Sequence, residues 1–134
     1  MKYLLDTNIC VFLIRKKSAQ ALRKLSQYSV VDVAVSSITT AELQYGVQRS
    51  SDVLKNQQAL DHFLAPLIIF SFDYQASVVY GRIRAYLEAK GTPIGSLDTL
   101  IAAQALSEGL TLVTNNTREF VRVPDLVVED WTIA

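Results

Sequence analysis

Lys2-Tyr3-Leu4-Leu5, running straight into Asp6-Thr7-Asn8, is the stretch on which the fold turns. The first four residues are strand-like and too few for a helix. The acid and small polar residues that follow suit the N-cap of one. This predicts a buried strand over 2–5 and a helix over 8–14, capped by Asp6 or Thr7. The same pattern recurs near the other end, where Leu110-Thr111-Leu112-Val113 meets Thr114-Asn115-Asn116. Further strands are expected at 30–35, 67–70 and 126–128. Helices are expected after Ser18, over 39–49, 52–64 and 73–89, over 96–106 with Ser96 as cap, and as one turn at 117–120. Thr39-Thr40-Ala41-Glu42 matches a capping box. Gly91 and Gly109 stand where helices should stop.

Strands that alternate with helices predict an α/β fold with a mainly parallel sheet and helices on both faces. The 134 residues fit one domain over 1–134. In such a sheet the crossovers are right-handed, and sites gather at the carboxyl ends of the strands. Polar residues directly after strands therefore come first as candidates for chemistry.

Half of the residues are hydrophobic and 19% are charged, so the chain is built to fold and has apolar surface to spare for a partner. No run is long enough to span a membrane, and the N-terminus lacks a secretory pattern. With a single cysteine, Cys10, no internal disulfide is possible, and a cytoplasmic setting is expected. Formal net charge is zero, so any contact with nucleic acid must rest on local clusters. Arg15-Lys16-Lys17 with Arg23-Lys24, and Arg118 with Arg122, are the local clusters that could meet nucleic acid, although a run of charges is often only a solvated face.

Asp6 ends a strand, while Glu42 and Asp98 open helices. Converged carboxylates repel one another, and a hard divalent cation resolves that conflict with oxygen and water ligands. His62 is the only histidine and Cys10 has no second thiol, so the donors suit Mg²⁺ or Mn²⁺ and not zinc. Each acid also has an ordinary use, as N-cap, capping-box arm or first-turn carboxylate.

Leu4-Leu5-Asp6-Thr7-Asn8, Ala41-Glu42-Leu43 with Gly46, Pro93-Ile94-Gly95 before Asp98, Ile101-Ala102-Ala103, Thr114 to Phe120 and Glu129-Asp130-Trp131 together span nearly the whole chain. In order and spacing this set resembles the VapC branch of the PIN-domain family. The resemblance implies a PIN-like three-layer domain with a central sheet of about four to five strands. It implies a Mg²⁺-dependent endoribonuclease (Mn²⁺ substituting), the toxin of a type II toxin–antitoxin pair, with structured RNA, tRNA foremost, as substrate. Asp6, Glu42 and Asp98 stand at the positions of the catalytic, metal-holding acids. Many relatives carry Asp where this chain has Asn116, and Glu119 is the nearest acid to serve as a fourth metal-site residue. Thr7, Asn8, Thr114, Asn115 and Asn116 would support the acids by hydrogen bonds.

The resemblance also implies a VapB-like antitoxin and a homodimer. An apolar contact for the antitoxin is expected at Ile9, Val11 and Phe12 or over 47–54. Asn116 motivates one rival reading, a catalytically inactive module that binds RNA or a partner. Another is a phosphatase with Asp6 as nucleophile, which Asn8 disfavours because that site usually carries an acid there.

Overall fold

The computed structural model describes residues 2–133. Among them the chain forms five strands and seven α-helices: β1 (Tyr3–Leu5), α1 (Thr7–Ile14), α2 (Ala19–Ser26), β2 (Val33–Ser36), α3 (Ser37–Gln48), α4 (Val53–Leu64), β3 (Ile68–Phe70), α5 (Tyr74–Ala89), α6 (Ser96–Glu108), β4 (Thr111–Val113), α7 (Thr117–Phe120) and β5 (Val128–Glu129). The sheet order is β3-β2-β1-β4-β5, and every pairing is parallel. The expected α/β architecture is therefore present.

Alternation along each strand divides the interior into two cores. Tyr3, Leu5, Val33, Val35 and Val113 point to one face, where Ile9, Leu13, Leu43 and Leu60 of α1, α3 and α4 cover them. Leu4, Ala34 and Leu112 point to the other, under Ile83, Leu87, Ile101 and Phe120 of α5, α6 and α7. This is a three-layer sandwich. Among the described residues, no helix is long and apolar enough to cross a membrane.

The chain leaves β1 toward β2 and β3 on one side, and the later strands β4 and β5 add to its other side. The direction of growth thus reverses beside β1, which opens a crevice beyond the carboxyl ends of β1 and β4. Asp6 follows one strand and Thr114 the other. The Asp6 N–H donates to the Val113 carbonyl at 3.0 Å, which locks the two strand ends together.

Four local expectations need correction, the last strand among them: it lies at Val128–Glu129 and not over 126–128. Residues 30–32 form a 3₁₀ turn, so β2 is confined to Val33–Ser36. α3 begins at Ser37, two residues before the expected capping box, because Ser36 caps it, its Oγ accepting from the Ile38 N–H at 3.0 Å. Glu42 is thereby moved into the second turn and released from capping. Ser96 is the first residue of α6 and not its cap; Gly95 takes that position and makes no side-chain cap bond. Asp6 and Ser18 cap their helices as expected, and Asp52 and Asp73, at the expected helix starts, are caps too; each of the four accepts from a backbone N–H three residues on. Gly109 ends α6 at φ 68°, a left-handed conformation that a side chain would strain.

Candidate metal centre

Asp6 is buried, 4% exposed, at the carboxyl end of the central strand. Its Oδ1 accepts from the Ile9 N–H at 2.9 Å, so its ordinary role as N-cap is real. That bond uses only part of the carboxylate's capacity. The Thr114 hydroxyl, itself buried, also bonds to it. Burial pushes the Asp6 carboxyl from 3.8 up to about 6; the Thr114 and Ile9 bonds pull it back, and the negative charges of Asp98 and Glu42 push it further up.

Glu42 reaches the same place from α3. Its Oε1 accepts from the Thr7 hydroxyl at 2.7 Å, with the Thr39 hydroxyl 3.2 Å from Thr7. Thr39 is fully buried and was missed as a site residue. Its position three residues before Glu42, on the same helix face, was the available signal. Asp98, in the first turn of α6, is half-buried, and its carboxyl is raised by burial first, then by Glu119 and Glu42. Glu119 of α7 bonds to Asp98 through its side chain and accepts from the Asn116 amide at 3.1 Å.

Four acids from four separate segments thus act on one another at one sheet edge. Among the described residues, no three acidic side chains are already gathered tightly enough to cage an ion. Glu42 is satisfied by Thr7, and Glu119 by Asn116 and Asp98. The donor set nonetheless fits a hard cation. It consists of carboxylate and hydroxyl oxygens, and burial, with the neighbouring negative charges adding to it, raises the Asp6 and Asp98 carboxyls, so a divalent ion would favour their charged forms.

This gives a stability prediction. The folded Asp6 carboxyl holds its proton more tightly than the unfolded one, so its contribution to stability is complete below about pH 4. It is lost as pH rises through about 6. A shift of roughly two units corresponds to about 3 kcal/mol. Metal-free protein should therefore lose melting temperature between pH 4.5 and 7.5 relative to Asp6→Asn, which keeps the cap. Mn²⁺ should restore the loss at pH 7.5. Parallel profiles for the two proteins would contradict the assignment.

The remaining candidates are distributed unevenly. Arg15 is exposed and, with Thr7 and Glu42, lines a groove of about 170 Å³ between α1, α3 and α4. Lys16 and Lys17 follow it at the surface, with Lys16 at φ 55°. Arg118 is exposed one residue before Glu119. Asn8 and Asn115 are solvent-exposed, unlike Thr7 and Thr114. Of the apolar contact residues expected for a partner, Ile9 belongs to the core, and Val47 belongs to the core while also lining the groove. Val11 lines the groove, Phe12 is half-buried, and Leu54 is exposed.

The doubly covered parallel sheet and its acidic crevice are those of a PIN domain, and the PIN-domain family model matches residues 3–126. Ribonuclease VapC2 of Rickettsia felis is 46% identical over 132 residues, 98% of each chain. The tRNA(fMet)-specific endonuclease VapC of Salmonella typhimurium is 41% identical over 131 residues, again 98% of each. The crystal structure of VapBC2 from Rickettsia felis bound to a promoter DNA fragment contains a similar chain. It has a TM-score of 0.92 and 45% identity, covering 98% of this chain and 99% of that one. The chain belongs to the PIN-domain family, in its VapC ribonuclease branch. Nucleases of this kind are in general metal-dependent.

Proposed function

We propose that this protein is a Mg²⁺-dependent endoribonuclease and the toxin of a type II toxin–antitoxin pair, acting in the cytoplasm on structured RNA of the tRNA class. The observation that carries the reading is the meeting of Asp6, Glu42, Asp98 and Glu119 at the crevice beyond β1 and β4. The relatives' names as ribonucleases, one specific for tRNA(fMet), support the substrate class.

Asp6, Asp98 and Glu119 would hold the ion, with Glu42 completing the set. Bound Mg²⁺ supplies a more acidic water and neutralises charge on the phosphodiester. Thr114 keeps Asp6 oriented and favours its charged form. Thr7 fixes the rotamer of Glu42, whose carboxylate takes a proton from the attacking water. Water adds to phosphorus and the bond to the 3′-oxygen breaks, that oxygen taking up a proton from solvent, so the products carry a 5′-phosphate and a 3′-hydroxyl. Arg15, Lys16, Lys17 and Arg118 are exposed, Arg15 in the groove that reaches Glu42 and Arg118 next to Glu119 in the chain, and they would meet backbone phosphates.

The groove between α1, α3 and α4 suits an amphipathic helix of a VapB-like antitoxin, which would enter beside Glu42 and obstruct the centre. The Rickettsia felis relative is named in complex with its VapB, in keeping with this. A homodimer is the expected assembly.

Purified protein with Mg²⁺ or Mn²⁺ should cut a panel of RNAs that includes tRNAs, leaving 5′-phosphate ends, and chelator should stop the reaction. Folded protein that cuts no RNA with either ion, yet still binds it, would establish the inactive-module reading instead.

A further inference from the structure

Two hydrogen-bond paths leave Asn116 and end on different carboxylates. Its backbone N–H donates to the Thr114 Oγ at 2.9 Å, and that hydroxyl in turn bonds to Asp6. The directions agree: Thr114 accepts from the amide and has its proton free for the carboxylate. On the second path the Asn116 Nδ2 donates to Glu119 Oε2 at 3.1 Å, and Glu119 bonds to Asp98. The amide orientation is fixed by the partner, since an amide oxygen turned toward a carboxylate would be repelled. Asn116 is half-buried and is also the N-cap residue of α7, although its side chain makes no cap bond. The side chain, whose oxygen would ordinarily cap the helix, is instead held by the bond that its nitrogen donates to Glu119.

We propose that Asn116 is the positioning residue of the carboxylate centre: its side chain aims Glu119 at Asp98 while its backbone aims Thr114 at Asp6. One residue thereby sets both halves of the crevice. An acid at this position could not donate, and would add a like charge beside Glu119. Short polar side chains at 116 preserve the turn but cannot reach the Glu119 carboxylate. The proposal rests on the metal-centre reading above.

The test is Mn²⁺ titration by calorimetry on four proteins: wild type, Asn116→Ser, Glu119→Gln and the double variant. Asn116→Ser should keep the metal-free melting temperature and bind Mn²⁺ about tenfold or more weakly, as losses of outer hydrogen bonds to metal ligands do. Glu119→Gln should weaken binding to a similar degree. The double variant should be no weaker than the weaker single one, because both changes remove the same contribution. Asn116→Ala serves as a second variant if serine unfolds the turn. Wild-type affinity in both Asn116 variants, an unaffected Glu119→Gln, or losses that multiply in the double variant would each overturn the positioning role. Wild-type protein that binds no Mn²⁺ would instead sink the metal centre itself.

Discussion

Asp98→Asn should melt like the wild type and lose RNA cleavage by on the order of a thousandfold or more. Asparagine has the shape of aspartate, so the first turn of α6 keeps its packing. Two opposing terms act on stability. The change removes a carboxylate favoured by the helix N-terminus, worth about 0.3–1 kcal/mol. It also removes a charge that burial, Glu119 and Glu42 all disfavour, as the raised carboxyl of Asp98 records. The net change in fold stability is small. The loss of function is not, because a neutral amide is a poor ligand for a hard cation and leaves the phosphodiester charge less balanced. Single-turnover cleavage beside a thermal melt separates the two effects. A folded Asp98→Asn protein with wild-type cleavage would remove Asp98 from the chemistry.

The second large effect is on the fold. Trp131→Ala should destabilise the protein by about 3–5 kcal/mol, a large share of the roughly 5–15 kcal/mol typical of a domain. Trp131 is completely buried. Its ring stacks on Tyr28 at 5.6 Å and meets the edge of Tyr3 at 5.2 Å, while its Nε1–H donates to Glu129 Oε1 at 3.1 Å. Tyr3 opens the central strand, and its hydroxyl lies 3.1 Å from that of Tyr28. Removing the indole would leave a cavity against that strand. Trp131→Phe should cost less, since it keeps an aromatic ring and loses mainly the bond to Glu129. Urea titration followed by far-ultraviolet circular dichroism would rank the variants. An alanine variant within 1 kcal/mol of wild type would show that the aromatic cluster contributes little.

The order of elements and the two-faced sheet were legible because they rest on local signals. Short apolar runs bounded by polar residues mark β1 and β4, and capping residues such as Asp6, Ser18 and Asp73 mark helix starts. What escaped was decided across distance. The start of α3 is one case. Thr39-Thr40-Ala41-Glu42 satisfies a local capping pattern, but Ser36 leaves the strand bonded to Gln104 Oε1 at 2.9 Å and begins the helix earlier. A partner 68 residues away in the chain won over the local pattern. That shift is what frees Glu42 for the crevice. The pairing of Asn116 with Glu119 was equally hidden, because sequence shows which residues are polar and not where an amide points. The exposed placement of Asn8 and the buried placement of Ile9 were likewise fixed only when α1 was laid on the sheet.

The four acids come from positions 6, 42, 98 and 119, and the strands that support them close in the order of a sheet grown outward from its middle. No fragment that stops before α7 carries the complete set. Under the proposed function, a chain still being synthesised would lack Glu119 and with it the full set of acids. Metal binding at the crevice would then begin only once α7 has folded onto the sheet, which makes the last quarter of the polypeptide the part that completes the centre.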